Sequence, residues 1–562
     1  MRKLNWLSLI LATACTGLAG AQETSVKLPD IGSSAASAMS PGEMKAYGAS
    51  MLHEMRAYNY VLDDPLVSDY LQDLGYRLVS YSDRPDLEFT FFVVRSNDIN
   101  AFAAPGGYIG VNVGLINAMS SEDELAAVIA HEIAHVTQQH LLRAFEDSKK
   151  STIPIALAML GALVASAGRS DDASQAALMS GISLIQQRAI NFTRYDEIEA
   201  DRVGIQTLTR AGFEPLAMAE TFATMQRVMR VNGVDVPEFL RTHPVDVNRI
   251  ADAKARAVQL HKTQPLRGAV TLNQPSRTVL PGHSELDLSF PGAASKRGNE
   301  GSGPGATDTN AFVLMKERAR TLAADSANSI LRYYSDELER EARSSVANRY
   351  GHALALVRAR QPRTAIAEFK QLTEDFPDNL TFMLGLAHAE DQAGQKNSAF
   401  SAYQRLNTNY PGNRAIVLAY TDALLAREEA ESARRAQDLL RPLIGRYTDD
   451  PELQHSFARA SELAGESIRA AEAYAEWAYL NGRVEDALNQ LKALSSKPEL
   501  TYYQRARVEA RITAMTPAVL DMRKSERRQP DADGARESAR LSLCPQQSCL
   551  DLSRRRNIAP LQ

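Results

Sequence analysis

The run Ser121-Glu122-Asp123-Glu124-Leu125-Ala126-Ala127-Val128-Ile129-Ala130-His131-Glu132-Ile133-Ala134-His135 carries a helix and a chemistry in one stretch. Ser121 and Glu124, three apart, have the spacing of a capping box, and the apolar residues from Leu125 to Ala130 continue the helix it starts. His131 and His135 are one helical turn apart, so both imidazoles leave the same face and can share a metal ion. Zinc accepts two histidine nitrogens and keeps room for a third protein ligand and a water. Glu132 lies beside that water and can take its proton, giving a hydroxide-like nucleophile for a peptide carbonyl. Composition alone gives at most roughly 0.02 chance occurrences of the pattern. The competing reading, two histidines on a solvated helix, fits poorly beside so apolar a run, because buried imidazoles need partners. His140, five residues past His135, falls on a different face by the same periodicity and is expected to have no metal role.

The third ligand must come from elsewhere. Arg194-Tyr195-Asp196-Glu197-Ile198-Glu199-Ala200-Asp201 offers several carboxylates at the start of a helical segment. Glu197 and Asp201 share a face, whereas Glu199 points about 200° away from Glu197. One carboxylate can reach the metal while another orients a ligating histidine, and spacing leaves open which does which.

Outward from this centre, residues 40–262 read as a helical domain carrying a small sheet. Leu87 to Val94 and Tyr108 to Val113 are β-rich, with Ala104-Pro105-Gly106-Gly107 supplying turn chemistry between them. Residues 266–311 are rich in Pro, Gly and Ser and read as a low-complexity linker. Over 315–515 a repeat emerges. Phe376-Pro377-Asp378-Asn379 recurs 34 residues later as Tyr410-Pro411-Gly412-Asn413, and Ala365 with Phe369 recurs as Ala399 with Tyr403. Ala436 with Leu440, then Ala470 with Tyr474, extend the series. That period resembles the tetratricopeptide (TPR) repeat, helix pairs that bury their apolar faces by stacking into an α-solenoid. Residues 522–562 form a polar tail.

The chain has 562 residues, with 63 basic and 68 acidic side chains and a net charge of −5. This near-neutral balance argues against a nucleic-acid partner, which needs a concentrated basic footprint. Met1-Arg2-Lys3, an apolar stretch from Leu4 and Ala19-Gly20-Ala21 have the layout of a signal peptide over 1–21, cleaved after Ala21. An uncleaved anchor and a lipoprotein signal ending at Cys15 are the alternatives. Of the three cysteines, Cys544 and Cys549 would remain, an even pair that reads as a disulfide in an oxidising compartment. The uncharged segment Ile153 to Gly168 is short and contains Pro154, so a lid or packed hairpin is expected rather than a membrane span, with peripheral membrane contact left open.

His131-Glu132-Ile133-Ala134-His135, the Glu197–Asp201 block, Thr242-His243-Pro244 with Arg249-Ile250, and Asn100 to Gly107 occur in order. Together they resemble the HtpX-type and CAAX-prenyl-protease-type zinc metallopeptidases. The resemblance implies a mainly α, zincin-type peptidase domain holding one Zn²⁺ per subunit. Its pattern makes His131, His135 and Glu197 the metal ligands and Glu132 the general base. Asp201 falls on the carboxylate that orients a ligating histidine. His243 matches a histidine implicated in capping the zinc, and Arg249 an arginine near the site. In this light the strand Tyr108, Ile109, Gly110, Val111, Asn112, Val113 is expected to be an active-site edge that binds an extended substrate by strand addition. Exported family members with TPR repeats imply a periplasmic endopeptidase for quality control and assembly of outer-membrane proteins. Its expected partners are misfolded or assembling outer-membrane proteins and the β-barrel assembly machinery. The rival expectation is a TPR-based chaperone or adaptor whose peptidase site is latched and mostly silent.

Overall fold

A computed structural model of the chain describes residues 39–144, 146, 194–232, 239–240, 243–244, 247–263, 309–340 and 345–527. The leader 1–21, the segment Ile153 to Gly168, most of the linker 266–311 and the Cys544–Cys549 pair lie outside the described residues.

The chain begins with α1 (Pro41–Ala57), opened by a reciprocal capping box between Ser40 and Glu43, and α2 (Pro65–Val79), capped by Asp64. Next come β1 (Thr90–Val94), β2 (Ala101–Ala104) and β3 (Tyr108–Asn112), in the spatial order β1-β3-β2. β3 pairs parallel with β1 and antiparallel with β2, so it is the central strand, and all its residues are buried. This corrects the expectation for Tyr108 to Val113. Both flanks of that strand are already hydrogen-bonded, and Val113 starts the short helix α3 (Val113–Ala118). The outer flank of β1 is bridged by Val61, with Leu62 N–H donating to the Val93 carbonyl at 2.8 Å. Among the described residues the open edge therefore belongs to β2.

The helix α4 (Glu122–Thr137) packs against α2 and β2. Ser121 accepts from the Glu124 N–H at 3.2 Å, but the Glu124 carboxylate takes the Ser120 N–H at 2.7 Å, so the capping box is only half formed. A helix over 194–210, here α5, crosses α4. It is followed by α6 (Ala217–Asn232), which packs on α4, and α7 (Val247–Thr263), which packs on α6.

Beyond residue 309 the chain is a series of helix pairs: α8 (Ala311–Ala323) with α9 (Ala327–Glu339), α10 (Val346–Arg358) with α11 (Pro362–Asp375), α12 (Leu380–Gln392) with α13 (Lys396–Asn409), α14 (Arg414–Leu425) with α15 (Ala430–Arg446), α16 (Pro451–Leu463) with α17 (Ser467–Leu480), and α18 (Val484–Ser495) with α19 (Tyr502–Arg527). The repeated turns are N-cap devices: Asn379 and Asn413 accept from the backbone N–H groups of Phe382 and Ile416. Ala365, Phe369, Ala399, Tyr403, Ala436 and Leu440 are all buried between helices. Tyr474 departs from the series: it is half-buried, and its hydroxyl donates to Glu462 at 2.7 Å.

The array packs onto the first unit rather than trailing from it. α8 lies on α2 and α3, α14 touches α2, and α17 touches α1. One continuous apolar core includes Leu62, Ile129 and Phe222 from the first unit and Phe312, Tyr403 and Leu453 from the repeats. Among the described residues no helix is long and apolar enough to cross a membrane.

Candidate metal centre

α4 carries His131, Glu132 and His135 into the middle of the first unit, where His131 and Glu132 are each 1% exposed. α5 brings the carboxylates. It crosses α4 at Gly204, where an added Cβ would lie 3.2 Å from the Ala130 carbonyl oxygen and from His131 Cα. Ala200 and Ala134 pack together in the same crossing. Small residues here let α5 approach closely enough for Glu197 and Asp201 to reach the histidines.

His131 Nε2 lies 3.0 Å from His135 Nε2 and 3.4 Å from Glu197 Oε2, and His135 Nε2 lies 3.4 Å from Glu197 Oε1. A tetrahedral ion with bonds of about 2.1 Å separates its ligands by roughly 3.4 Å, so this spacing fits four-coordinate binding. His243 joins the group: its Nδ1 is 2.9 Å from Glu197 Oε1 and 3.4 Å from His131 Nε2. The four side chains offer ligand atoms that all lie within 4.8 Å of one another. Burial, and then the neighbouring His131, hold the His135 imidazole well below its ordinary pKa, which keeps it neutral with a lone pair to give. Burial alone would raise the Glu197 carboxyl, but hydrogen bonds to His131 and His243 outweigh it and hold that group far below the carboxylate range.

Asp201 is 3.1 Å from His131 Nδ1, on the far side of the ring from the cluster. Arg249 grips Asp201 with two bonds, Nε to Oδ2 at 2.7 Å and a terminal nitrogen to Oδ1 at 2.8 Å. Its other terminal nitrogen donates to the Pro244 carbonyl at 2.7 Å and lies 3.0 Å from Glu197 Oε2. Burial pushes the Asp201 carboxyl up, and the bonds to His131 and Arg249 more than reverse it.

Glu132 Oε1 is buried with no hydrogen-bond partner among the described residues, the nearest cation-capable atom being His243 Nε2 at 3.6 Å. Burial raises the Glu132 carboxyl, and His243 and His131 offset part of that rise. The backbone N–H of Ala103 also reaches Glu132, which places the β2 edge at the site. Asn112 N–H donates to the Asn100 carbonyl at 3.0 Å, so ladder alternation turns the backbone groups of Ala101 and Ala103 away from β3 towards the open edge. The same edge is occupied at its start, where Phe239 N–H donates to the Ile99 carbonyl at 3.1 Å. His243 N–H in turn donates to the Phe239 carbonyl at 2.7 Å. The segment that docks on the strand is thus the one that delivers His243.

Two features escaped sequence reasoning. β2 was missed because Ala101-Phe102-Ala103-Ala104 has little β-propensity. Helical periodicity puts His140 on a different face from His135, whereas in the structure its Nδ1 lies 2.8 Å from His135 Nδ1. The helix breaks at Gln138, after which helical periodicity no longer applies, and no glycine or proline in the sequence marks that break.

Comparison with known proteins places this geometry in a family. The profile of Peptidase family M48 matches residues 65–257, and a tetratricopeptide-repeat profile matches 381–413. The "Beta-barrel assembly-enhancing protease" of Escherichia coli (strain K12) is 30% identical over 493 residues, spanning 86% of this chain and 90% of that protein. The "Putative beta-barrel assembly-enhancing protease" of Vibrio cholerae is 39% identical over 253 residues, 45% of this chain and 52% of that protein. The "Mitochondrial metalloendopeptidase OMA1" of Schizosaccharomyces pombe is 30% identical over 181 residues, 32% of this chain and 50% of that protein. Similarity sustained across both the peptidase unit and the repeats cannot come from a shared five-residue motif, and the chain belongs to the M48 metallopeptidases.

Proposed function

We propose that the chain is an exported zinc endopeptidase of the periplasm that serves the assembly and quality control of outer-membrane β-barrel proteins. The observation that carries the chemistry is the convergence of His131, His135 and Glu197 at tetrahedral spacing beside a buried Glu132. The biological role draws its support from the names of relatives that align along most of the chain. His131, His135 and Glu197 would hold the ion, and imidazole with carboxylate suits zinc. Bound there, zinc supplies a Lewis acid that polarises a carbonyl and acidifies water. Glu132 accepts the proton of the attacking water and returns it to the leaving amine. An extended substrate pairs with the outward backbone groups of Ala101 and with the Ala103 carbonyl, the Ala103 N–H being held by Glu132, which gives affinity without demanding a sequence. The repeats dock unfolded β-barrel proteins or their assembly machinery.

The test is zinc analysis and degradation of casein and of an unfolded β-barrel protein by the purified chain. Glu132→Gln is expected to retain zinc and lose on the order of 10²–10⁴ in kcat. Full zinc-dependent activity in that variant would sink the mechanism.

One observation favours a second reading, a chaperone or adaptor whose peptidase is latched. His243 stands where a fourth ligand would displace the attacking water, and its segment covers the start of the substrate edge. Accelerated proteolysis by His243→Ala supports the latch; unchanged or lost activity removes it.

A further inference from the structure

The first unit contains a second group of polar side chains, behind His135. α4 ends at Thr137, and Gln139 then takes a left-handed conformation at φ 57°. This turn redirects the chain, so His140 folds back onto His135 instead of continuing around the helix. The two rings meet edge to face with centroids 4.7 Å apart and with His140 Nδ1 2.8 Å from His135 Nδ1. On its other side, His140 Nε2 lies 3.2 Å from Glu199 Oε2. Arg143 closes the series, 2.6 Å from Glu199 Oε2 and 3.3 Å from Asp196 Oδ1. His140 is 4% exposed and Asp196 7%.

Proton placement along this line follows from the donor inventory. Two ring nitrogens 2.8 Å apart need one hydrogen between them. With His135 Nε2 giving its lone pair to an ion, its Nδ1 must carry that hydrogen, so His140 Nδ1 accepts. A neutral His140 then carries its own hydrogen on Nε2, where Glu199 stands to accept it. Every donor meets an acceptor in one direction only, from His135 through His140 to Glu199.

We propose that His140 is the positioning residue of His135, fixing its tautomer and ring orientation for metal binding, with Glu199 and Arg143 holding His140 in turn. The centre then has two supports of different chemistry. Asp201 and Arg249 stand behind His131, and His140 and Glu199 stand behind His135. The alternative use of the same atoms is a second cation site, since His140, Asp196 and Glu199 also offer convergent ligand atoms. Arg143 argues against it, because its guanidinium already fills the position between the two carboxylates.

The proposal rests on the metal reading of the site above, and the test separates the two. Zinc affinity and stoichiometry of the full chain are measured by competition with a chromophoric chelator, with melting of the metal-free chain as the fold control. Wild type is expected to bind one ion, and His140→Leu to bind it 10–100-fold more weakly. His140→Asn can place an amide oxygen where Nδ1 stood and is expected to recover most of that loss. Glu199→Gln, which can still accept, is expected to lose less than His140→Leu. With Co²⁺ in place of zinc, the visible ligand-field bands are expected to shift in His140→Leu and to return in His140→Asn, which a purely structural role would not produce. Wild-type affinity in His140→Leu overturns the proposal. So do two ions per wild-type chain, one of them lost in His140→Leu. A wild-type chain that binds no zinc overturns the metal reading and this inference with it.

Discussion

Arg249 is the cation that grips Asp201 and flanks Glu197, two buried carboxylates. It is 4% exposed, holds Asp201 with a planar two-pronged grip and lies 3.0 Å from Glu197. Arg249→Met would take from the buried Asp201 its two-pronged cation, leaving only His131, and is expected to destabilise the metal-free chain by about 3–5 kcal/mol in urea unfolding. Arg249→Lys is expected to recover little, because an ammonium cannot reproduce the fork. Nothing in the spacing of residues marks Arg249, and only the family resemblance points to it, since a contact across 48 residues has no local signature. Gln139 makes the opposite case, a local feature with a distant effect. Its left-handed backbone suits glycine, so Gln139→Gly is expected to change stability by less than about 0.5 kcal/mol. Gln139→Ile, with a branched Cβ at positive φ, is expected to cost about 1–2 kcal/mol and to weaken metal binding by displacing His140.

Helices and strands differed in how much they disclosed. α4 was legible because capping, apolar run and histidine spacing all reinforce one another. The sheet was legible as strands but not as an order. β-rich composition shows that Tyr108 to Asn112 is extended, yet only the pairing partners show that it lies between two neighbours. Its unbroken burial is the physical trace of that central place, since a strand covered on both faces needs no polar alternation. The carboxylate block was legible as chemistry but not as geometry, because the approach of α5 to α4 hangs on the absence of a side chain at Gly204. Gly204→Val would press methyl groups against the backbone of Ala130 and His131 and force the helices apart. The expected cost is about 1–3 kcal/mol in thermal unfolding. On the proposed metal site, metal affinity should fall with it, as Glu197 withdraws; a destabilised Gly204→Val that binds metal as wild type would show that the crossing does not set the distance of Glu197 from the histidines.

At the scale of the molecule, the 34-residue period foretold the stacked helix pairs, but not that they would close over the peptidase unit. The contacts that hold the two together are specific and buried. Asp64 caps α2 and also receives Arg318 from α8 through two bonds of 2.7 Å, and Arg414 of α14 lies 3.1 Å from Asp69 while pairing with Asp450. At the far end, Gly482 (φ 74°) lies against the His53 carbonyl, where an added Cβ would come within 2.6 Å, and the His53 ring meets Tyr479 edge to face at 4.9 Å. Burial first, and then Arg56 and Arg511, push the His53 imidazole down to about 4. Its folded value lies below the unfolded one of about 6.5, so the unfolded chain binds the extra proton between those limits. The stability it contributes is therefore full above pH 6.5 and is lost as the pH falls towards 4. Between pH 7 and 5 the loss is on the order of 2 kcal/mol. Asp69 and Asp73 are raised by burial to about 6 and about 7 and oppose this trend, so the useful measurement is a difference. His53→Phe keeps the ring against Tyr479 and removes the proton site; relative to wild type it should gain stability steadily from pH 7 to 5 in urea unfolding. Parallel pH profiles for the two proteins would mean that His53 is solvated in solution and that α1 is not held closed against the repeats.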